Sequence, residues 1–246
     1  MDGQHVQKSP CDIDVRMKYS TLCNAEQVIN CNCPKEIAIH DSGDIYVASS
    51  GDVIAVFDQS ADNGNHCIQK LTTGGQFLQR FGQLGSGQGQ FNHPVSVIVD
   101  QRDRLIISDV GNQRVVILNQ AGSYELIING NSPHGFKRPF GLSLDCQGNI
   151  CITVCSSNTI KVFTPEGTYV RSYGDVKAPS GIVIDEEGYS LVNECDGNCL
   201  SIFDPHGNKV HTVGNLKKPR GVMLDPKNGN LYVANYGANT VLKFSV

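Results

Sequence analysis

Basic residues occur immediately before a proline at three places in the second half of the chain. Lysine and arginine precede Pro139, lysine lies two residues before Pro179, and two lysines precede Pro219. Aromatic residues lie within a few positions of these cations. Single-stranded or looped RNA is bound by this combination, because cations pair with phosphates and rings stack on bases. The candidate RNA-binding residues are Lys35, Arg114, His134, Phe136, Lys137, Arg138, Phe140, Lys177, Lys217, Lys218, Arg220 and Tyr236.

Acidic residues recur with equal regularity but indicate a structural role. Asp100, Asp145, Asp185 and Asp225 each lie six residues after a proline. Carboxylates that recur in every unit are predicted to cap the turn after the first strand, because Asp accepts hydrogen bonds from nearby backbone N–H groups.

Histidine and cysteine show no convincing metal-ligand spacing. Cys31 and Cys33 are separated by one residue, and Cys195 and Cys199 by three, with no histidine pair beside either set. We therefore expect no catalytic residue, no metal, no cofactor and no enzymatic activity. Six of the seven histidines are scattered along the repeats, at His40, His66, His93, His134, His206 and His211.

A repeat of about 40–60 residues organises these positions. Prolines 34, 94, 139, 179 and 219 each begin an alternating apolar segment that ends six residues later at Asp, or at His in the first copy. This period is typical of β-propeller blades. The repeat must position the basic residues, because each group of cations stands at the same point of its unit.

Each unit continues as a series of short strands divided by turns rich in Gly and Asn. Period-2 alternation between such turns indicates strands, and no stretch has a sustained helical period. We predict an all-β propeller with four-stranded antiparallel blades, five favoured and six possible. The predicted second strands are 45–48, 105–108, 150–153, 191–193 and 231–234, the third strands 115–118, 160–163, 200–203 and 241–244, and the fourth strands include 169–173 and 209–213.

The last unit stops after its third strand, which would leave a strand edge open. Residues 13–19 alternate suitably and belong to no unit of their own. We therefore expect residues 1–33 to supply the closing outer strand and residues 34–246 to form the propeller, as one domain overall.

The sequence of residues 76–118 resembles the NHL repeat, both in the segment that precedes Pro94 and in the blade that follows it. It is similar to the C-terminal propellers of tripartite-motif (TRIM) NHL proteins, and the resemblance extends over residues 34–246. Elsewhere it loosens, since the Asp-x-x-Asn-x-Arg stretch survives only at residues 109–114. Members of this family usually carry six blades. The resemblance implies a propeller that binds RNA or protein, while ubiquitin ligation belongs to a separate RING domain whose Cys/His array is not found here.

The formal net charge of −4 does not oppose RNA binding if the charges are separated. Strand alternation places the residues before each proline, and those between second and third strands, on one face. That face is predicted to be basic, although it also carries Glu36, Asp52, Asp109, Asp175, Glu194 and Asp196. The opposite face collects Asp41, Asp44, Asp58, Asp62, Asp100, Asp103, Asp145, Glu166, Asp185, Glu186, Glu187, Asp204 and Asp225, with the bases Arg102, Arg104 and Lys227.

Two classes of binding function and one class of enzyme remain open. The first is RNA recognition in post-transcriptional regulation. The second is a protein-interaction propeller that recruits substrates or partners for a ubiquitin ligase, with residues 82–91 and 58–76 as candidate contacts. A propeller hydrolase or lyase is the third.

Location and assembly follow from general features of the chain. Ten cysteines without a visible signal peptide favour reduced thiols and a cytoplasmic location. No apolar run approaches the length of a membrane span. We expect a monomeric propeller without membrane or DNA partners.

Overall fold

The computed structural model describes residues 27–30, 37–39, 45–49, 66–71, 77–130, 134–225 and 229–245. These residues form β-strands joined by short turns. The strands, in chain order, are β1 (Gln27–Asn30), β2 (Ile37–Ile39), β3 (Ile45–Ser49), β4 (Cys67–Leu71), β5 (Phe77–Phe81), β6 (Gln83–Leu84), β7 (Gln90–Phe91), β8 (Pro94–Val99), β9 (Leu105–Asp109), β10 (Arg114–Leu118), β11 (Tyr124–Asn129), β12 (Pro139–Leu144), β13 (Ile150–Val154), β14 (Thr159–Phe163), β15 (Tyr169–Tyr173), β16 (Pro179–Ile184), β17 (Ser190–Glu194), β18 (Cys199–Phe203), β19 (Lys209–Val213), β20 (Val222–Leu224), β21 (Leu231–Asn235) and β22 (Thr240–Phe244), with 3-10 turns at Val110–Asn112 and Tyr236–Ala238.

The strands pair into four-stranded antiparallel sheets, each of which is one blade. The blades contain β2–β5, β8–β11, β12–β15, β16–β19 and, in the order β1-β22-β21-β20, the two ends of the described chain. A short parallel pair, β6 and β7, lies in the connection between the first two of these blades. The prediction of an all-β propeller with four-stranded antiparallel blades is confirmed. The blade number of the ring and its closure stay predictions.

Strand boundaries follow the alternation in the sequence closely. Strands β15 and β19 have the predicted bounds, and β9, β13 and β21 each extend one residue beyond them. Strands β9, β13 and β17 are buried at every position. These three strands are therefore covered on both faces, and the polar residues among them, such as Ser108, Thr153 and Asn193, are buried together with the apolar ones.

The outer edge of the last blade is occupied by β1. Gln27 is opposite Lys243 and Asn30 is opposite Thr240 in an antiparallel pairing. The predicted closing strand, residues 13–19, lies outside the described residues. Strand β1 falls within residues 1–33, the region expected to supply that edge.

Neighbouring blades meet most closely along their inner strands β12, β16 and β20. The Gly181 N–H donates to the Arg220 carbonyl at 2.6 Å. A Cβ atom at Gly141 would lie 2.4 Å from the Ser180 oxygen, and one at Gly181 would lie 2.3 Å from the Arg220 oxygen. The next inner strand thus occupies the space that a side chain would need, and only glycine permits this approach.

Buried polar side chains link the second strands β9, β13 and β17 to the inner strand of the next blade. Ser108 donates to the Phe140 carbonyl at 2.7 Å, and Thr153 donates to the Ser180 carbonyl at 2.6 Å. Both donors are fully buried and take the fourth position of β9 and β13. They satisfy carbonyl groups that water does not reach, and an unpaired buried carbonyl costs about 1–3 kcal/mol.

Asn193, at the fourth position of β17, makes the corresponding link to the last blade. Its side-chain amide donates to the carbonyls of Arg220 and Gly221 at 3.1 and 2.9 Å. The same device therefore recurs across three successive blade junctions with a different side chain each time.

Hydrophobic side chains fill the space between adjacent blades. One cluster joins Ile106 and Ile117 of one blade with Leu142, Ile150 and Phe163 of the next. The core is therefore a set of layers between blades rather than one central mass.

The repeated aspartates cap the turn after the first strand, as predicted. Oδ1 of Asp100 accepts the N–H groups of Arg102 and Arg104, both at 2.9 Å. Asp145 and Asp185 accept the N–H groups two and four residues later in the same manner. These carboxylates are thus committed to backbone hydrogen bonds.

Among the described residues, no helix has the length and apolar character that a bilayer crossing requires.

The inner-strand contact predicts that Gly181→Ala destabilises the protein, because the added methyl group meets a backbone oxygen that cannot move freely. We expect the free energy of unfolding to fall by roughly 1–3 kcal/mol, as for other overpacked sites. Urea unfolding followed by circular dichroism measures the change. Gly214→Ala is the matched control, since a Cβ there meets nothing within 4 Å. Equal stability of the two variants would contradict the packing described.

Candidate nucleic-acid interface

A cavity of about 580 Å³ lies where the inner strands β12 and β16 begin and just before β20. Its lining comes from three successive blades. The lining residues are Arg138, Phe140, Cys155, Asn158, Lys177, Ala178, Pro179, Ser180, Cys195, Asp196, Lys218 and Arg220.

Five of the residues proposed from sequence line this cavity together. They are Arg138, Phe140, Lys177, Lys218 and Arg220. Four of the five are cations, and one carboxylate stands among the lining residues. Equivalent loops of consecutive blades therefore meet at one concave site, which is predominantly basic.

Arg220 lies between two aromatic rings. Its guanidinium carbon is 4.4 Å from the centre of the Tyr236 ring and 5.7 Å from that of Phe140. Both distances permit cation–π attraction. Its Nε is buried and has no hydrogen-bond partner among the described residues. The side chain is thus held by the rings, with hydrogen-bonding capacity that the protein does not use.

The residues before the prolines have an uncommon backbone conformation. Arg138, Ala178 and Lys218 have φ angles of 55°, 49° and 43°, in the left-handed region. This conformation costs roughly 1–2 kcal/mol for a residue with a Cβ atom. Surrounding hydrogen bonds must therefore hold the loops that present the cations.

Asparagines of the preceding blade provide part of this support. Oδ1 of Asn158 accepts the Ala178 N–H at 3.2 Å, and Oδ1 of Asn198 accepts the Lys218 N–H at 2.9 Å. Both asparagines are themselves left-handed, at φ 55° and 52°. Asparagine tolerates this region better than most residues, which accounts for its place in these turns.

The last residue of the second strand anchors the same loops from inside. The Lys177 N–H donates to Glu194 Oε2 at 2.8 Å, and the Lys217 N–H donates to Asn235 Oδ1 at 2.6 Å. Glu194 is 3% exposed and also accepts hydrogen bonds from Ser201 and from the Lys209 ammonium group, the latter at 2.9 Å. Its negative charge is therefore neutralised inside the blade.

Burial alone would raise the pKa of Glu194, but hydrogen bonds from the Lys177 N–H, Ser201 and Lys209 outweigh it. The pKa of this carboxyl consequently lies below its ordinary value. Glu194 is ionised at neutral pH and holds the Lys177 loop in place.

Two proposed binding residues are part of the interior instead. Arg114 is 8% exposed, pairs with Asp109 at 2.7 Å, and donates to the carbonyls of Ser86, Gly87 and Gln90. Arg114 therefore holds the glycine-rich loop of residues 82–91, the candidate partner contact, in place.

Phe136 is 3% exposed and packs edge-on against Phe163 at 5.8 Å. Neither Phe136 nor Arg114 is placed at the surface. Phe136 fills an apolar space in the blade, and Arg114 binds the carbonyl groups of a loop. The residue types alone do not reveal either contact.

The other proposed residues surround the cavity or lie elsewhere. Lys137 and Lys217 are exposed beside it, and Tyr236 contacts it through Arg220. The exposed His134 stacks on Tyr169 at 4.2 Å, next to the outer strand β15, and does not line the cavity. Lys35 lies outside the described residues.

The candidate set drawn from the sequence omits the lining residues Cys155, Cys195 and Asn158, and it places Asp196 on the basic face without a binding role. The asparagine had a usable signal, because Asn recurs in the turn after each of the last three second strands. Burial raises the pKa of both cysteine thiols, so neither is a thiolate at neutral pH. Within the described part of the chain, no three His, Cys, Asp or Glu side chains converge as a metal site would require.

Four-stranded antiparallel blades whose inner strands lie side by side define the molecule as a β-propeller. The sequence matches no protein-family model. It is similar to the E3 ubiquitin-protein ligase TRIM32 of Mus musculus, with 30% identity over 37% of this chain and 16% of that protein. It is also similar to NHL repeat-containing protein 3 of Homo sapiens, with 28% identity over 62% of this chain and 35% of that protein.

Protein brain tumor of Drosophila melanogaster is a third relative, with 27% identity over 57% of this chain and 12% of that protein. The chain thus spans little more than a third, at most, of these relatives. Its homologues are NHL-repeat and TRIM-NHL proteins over part of the chain, and the resemblance drawn from the repeat is confirmed.

Solved structures share the fold at low sequence identity. A chain of the nidogen/laminin complex superposes with a TM-score of 0.65 and 15% identity, over 86% of this chain and 75% of that chain. Virginiamycin B lyase from Staphylococcus aureus superposes with a TM-score of 0.62 and 14% identity, over 89% of this chain and 73% of that chain. At these identities the likeness establishes the propeller fold alone.

The anchoring role of Glu194 predicts a specific pH dependence. A lowered folded-state pKa stabilises the protein at pH values above the ordinary glutamate pKa, and this stabilisation is lost as the pH falls through the folded-state pKa. We therefore expect Glu194→Gln to lower the free energy of unfolding by about 1–3 kcal/mol at neutral pH. The deficit should shrink toward acidic pH.

Chemical unfolding across this pH range measures the effect. Asp175→Asn, which removes an exposed carboxylate outside the cavity, is the control and should change stability little at any pH. A deficit of Glu194→Gln that stays constant down to acidic pH would refute the role of the ionised carboxylate.

Proposed function

We propose that this chain is a non-enzymatic RNA-binding platform that acts in post-transcriptional regulation. The observation that carries the proposal is the cavity in which Arg138, Lys177 and Lys218 converge around Arg220, which is held by the rings of Phe140 and Tyr236. Single-stranded and looped RNA offers phosphates to such cations and unstacked bases to such rings. The proposal includes a cytoplasmic location and a monomeric state.

The local charge supports an anionic ligand despite the net charge of −4. Two of the acidic residues assigned to the basic face are buried in ion pairs, Asp109 with Arg114 and Glu194 with Lys209. The Asp109–Arg114 pair removes one charge of each sign and leaves the balance of that face unchanged, whereas Glu194 is neutralised by a lysine that was not assigned there. Four cations and one carboxylate line the cavity, and local rather than net charge attracts a ligand.

A binding role is favoured over catalysis because several acidic residues are occupied by hydrogen bonds to the backbone. Asp100, Asp145 and Asp185 cap turns, and Asp109 and Glu194 anchor loops. The relatives include NHL repeat-containing protein 3 and Protein brain tumor. The superposition on virginiamycin B lyase concerns the fold.

A protein ligand is the second candidate, because three large apolar side chains lie exposed on the first described blade and the connection after it. Phe77, Leu78 and Leu84 are 60%, 48% and 61% exposed. A contact through these residues would serve recruitment of partners to a ubiquitin ligase, the activity named for the TRIM32 relative. Such a contact would depend weakly on salt.

Fluorescence polarisation with short labelled single-stranded and hairpin RNAs tests the proposal. We expect binding that weakens steeply with ionic strength. Lys177→Gln with Lys218→Gln should weaken it further and reduce the salt slope by about 1.4, since each phosphate-neutralising cation contributes roughly 0.7 on a single strand. Both side chains are exposed, so the fold should be retained.

The control removes the same charge elsewhere, with Arg80→Gln and Arg102→Gln on the outer strand β5 and in a turn of the opposite face. This variant should bind RNA nearly as the unchanged protein does. No binding at low salt, or an equal loss in both double variants, would refute an RNA interface at the cavity and favour the protein-binding alternative.

A further inference from the structure

Asp196 is the carboxylate among the residues that line the basic cavity. Its position is fixed by its own backbone, whose N–H donates to the Lys177 carbonyl at 3.4 Å. Its side chain is exposed, and among the described residues it forms neither an ion pair nor a hydrogen bond. This separates it from Asp109 and Glu194, whose oxygens are occupied by the protein.

A free carboxylate reduces the affinity of a cationic cavity for phosphate. The presence of Asp196 therefore indicates that another part of the ligand donates hydrogen bonds. An ionised carboxylate only accepts, and its two oxygens suit two adjacent parallel donors.

Among the four RNA bases, guanine alone carries two adjacent donors on its Watson–Crick edge, at N1 and at the exocyclic amine. Adenine and cytosine each place one amino group beside a ring-nitrogen acceptor, which a carboxylate repels. Uracil has one N–H group between two carbonyl acceptors. The donor pattern therefore matches guanine best.

We infer that the cavity recognises a guanine base and that Asp196 is the residue that determines this specificity. This inference rests on the proposed RNA-binding function. Arg220, held by Phe140 and Tyr236, provides a planar cation with an unused N–H donor, to which the O6 and N7 atoms of the base can bind. Lys177 and Lys218 bind the flanking phosphates. A cavity of about 580 Å³ is within the range of nucleotide-sized sites.

Guanine can reach the cavity from an RNA strand or from a free nucleotide. Both sources present the same edge to Asp196, but only a strand places further phosphates near the exposed Lys137 and Lys217. The RNA source is therefore predicted to bind more tightly, and free GMP is the probe for the other.

The test uses the full chain and short labelled oligouridines with one central guanosine, inosine, adenosine, cytidine or uridine. Inosine lacks only the exocyclic amine of guanosine, so it isolates one of the two donors. We expect the guanosine strand to bind about tenfold more tightly than the others, as for one bidentate base contact. GMP should compete only at higher concentration, and AMP should compete less.

Asp196→Asn should remove the preference for guanosine over inosine and leave the plain oligouridine bound equally or more tightly, because a repulsive charge is lost. Asp175→Asn makes the same change of charge outside the cavity and should keep the guanosine preference. The opposite responses of the two strands to Asp196→Asn distinguish base reading from a general change of charge or stability.

The outcomes separate this inference from the proposed function. Salt-dependent RNA binding without guanosine preference, or a preference that survives in Asp196→Asn, overturns the inference and leaves the RNA interface standing. Loss of the preference in Asp175→Asn as well also overturns it. Tighter binding of GMP than of the guanosine strand supports guanine reading but overturns the RNA source, and no binding of any RNA or nucleotide overturns both proposals.

Discussion

Close contact between successive inner strands is the constraint on which the rest of this structure depends. The backbone of each inner strand fills the space beside Gly141 or Gly181 in the strand before it. Ser108, Thr153 and Asn193 then supply the hydrogen bonds that the approaching carbonyls need. Because these contacts occur where the inner strands begin, they also fix the spacing of the loops that end at each proline.

The cavity follows from that spacing. Three consecutive loops arrive at one place, and each brings basic residues on a backbone that is held in the left-handed region. The residues that hold it are internal, such as Glu194, or belong to the preceding blade, such as Asn198. The binding surface is thus supported by the blades themselves, so the exposed side chains of the loops are free to contact a ligand.

The sequence alone predicted the strands well, because their signals are local. Alternation and turn residues marked the bounds of β15 and β19, and the repeated Asp marked the capped turns. Contacts between residues far apart in the sequence were harder to predict. Arg114 and Phe136 have residue types suited to RNA, but contacts with Asp109 and Phe163 bury them. The edge strand at Gln27–Asn30 also depends on pairing between the ends of the described chain, which no local pattern encodes.

The sequence predicted a basic face and counted Asp196 among the acidic residues on it, but gave that carboxylate no role in binding. Asp196 and Glu194 are two residues apart and share a side-chain chemistry, yet one faces the cavity and the other is buried. Glu194 is the last residue of β17, whereas Asp196 lies in the turn that follows, and only the structure shows which oxygens remain unoccupied.

Crosslinking of a photoreactive RNA to the full chain, with the attached peptides mapped by mass spectrometry, tests the central claim most directly. The account predicts crosslinks at Phe140 and Tyr236, the rings on either side of Arg220. Crosslinks confined to the opposite face, at the turns capped by Asp100, Asp145 and Asp185, would contradict it.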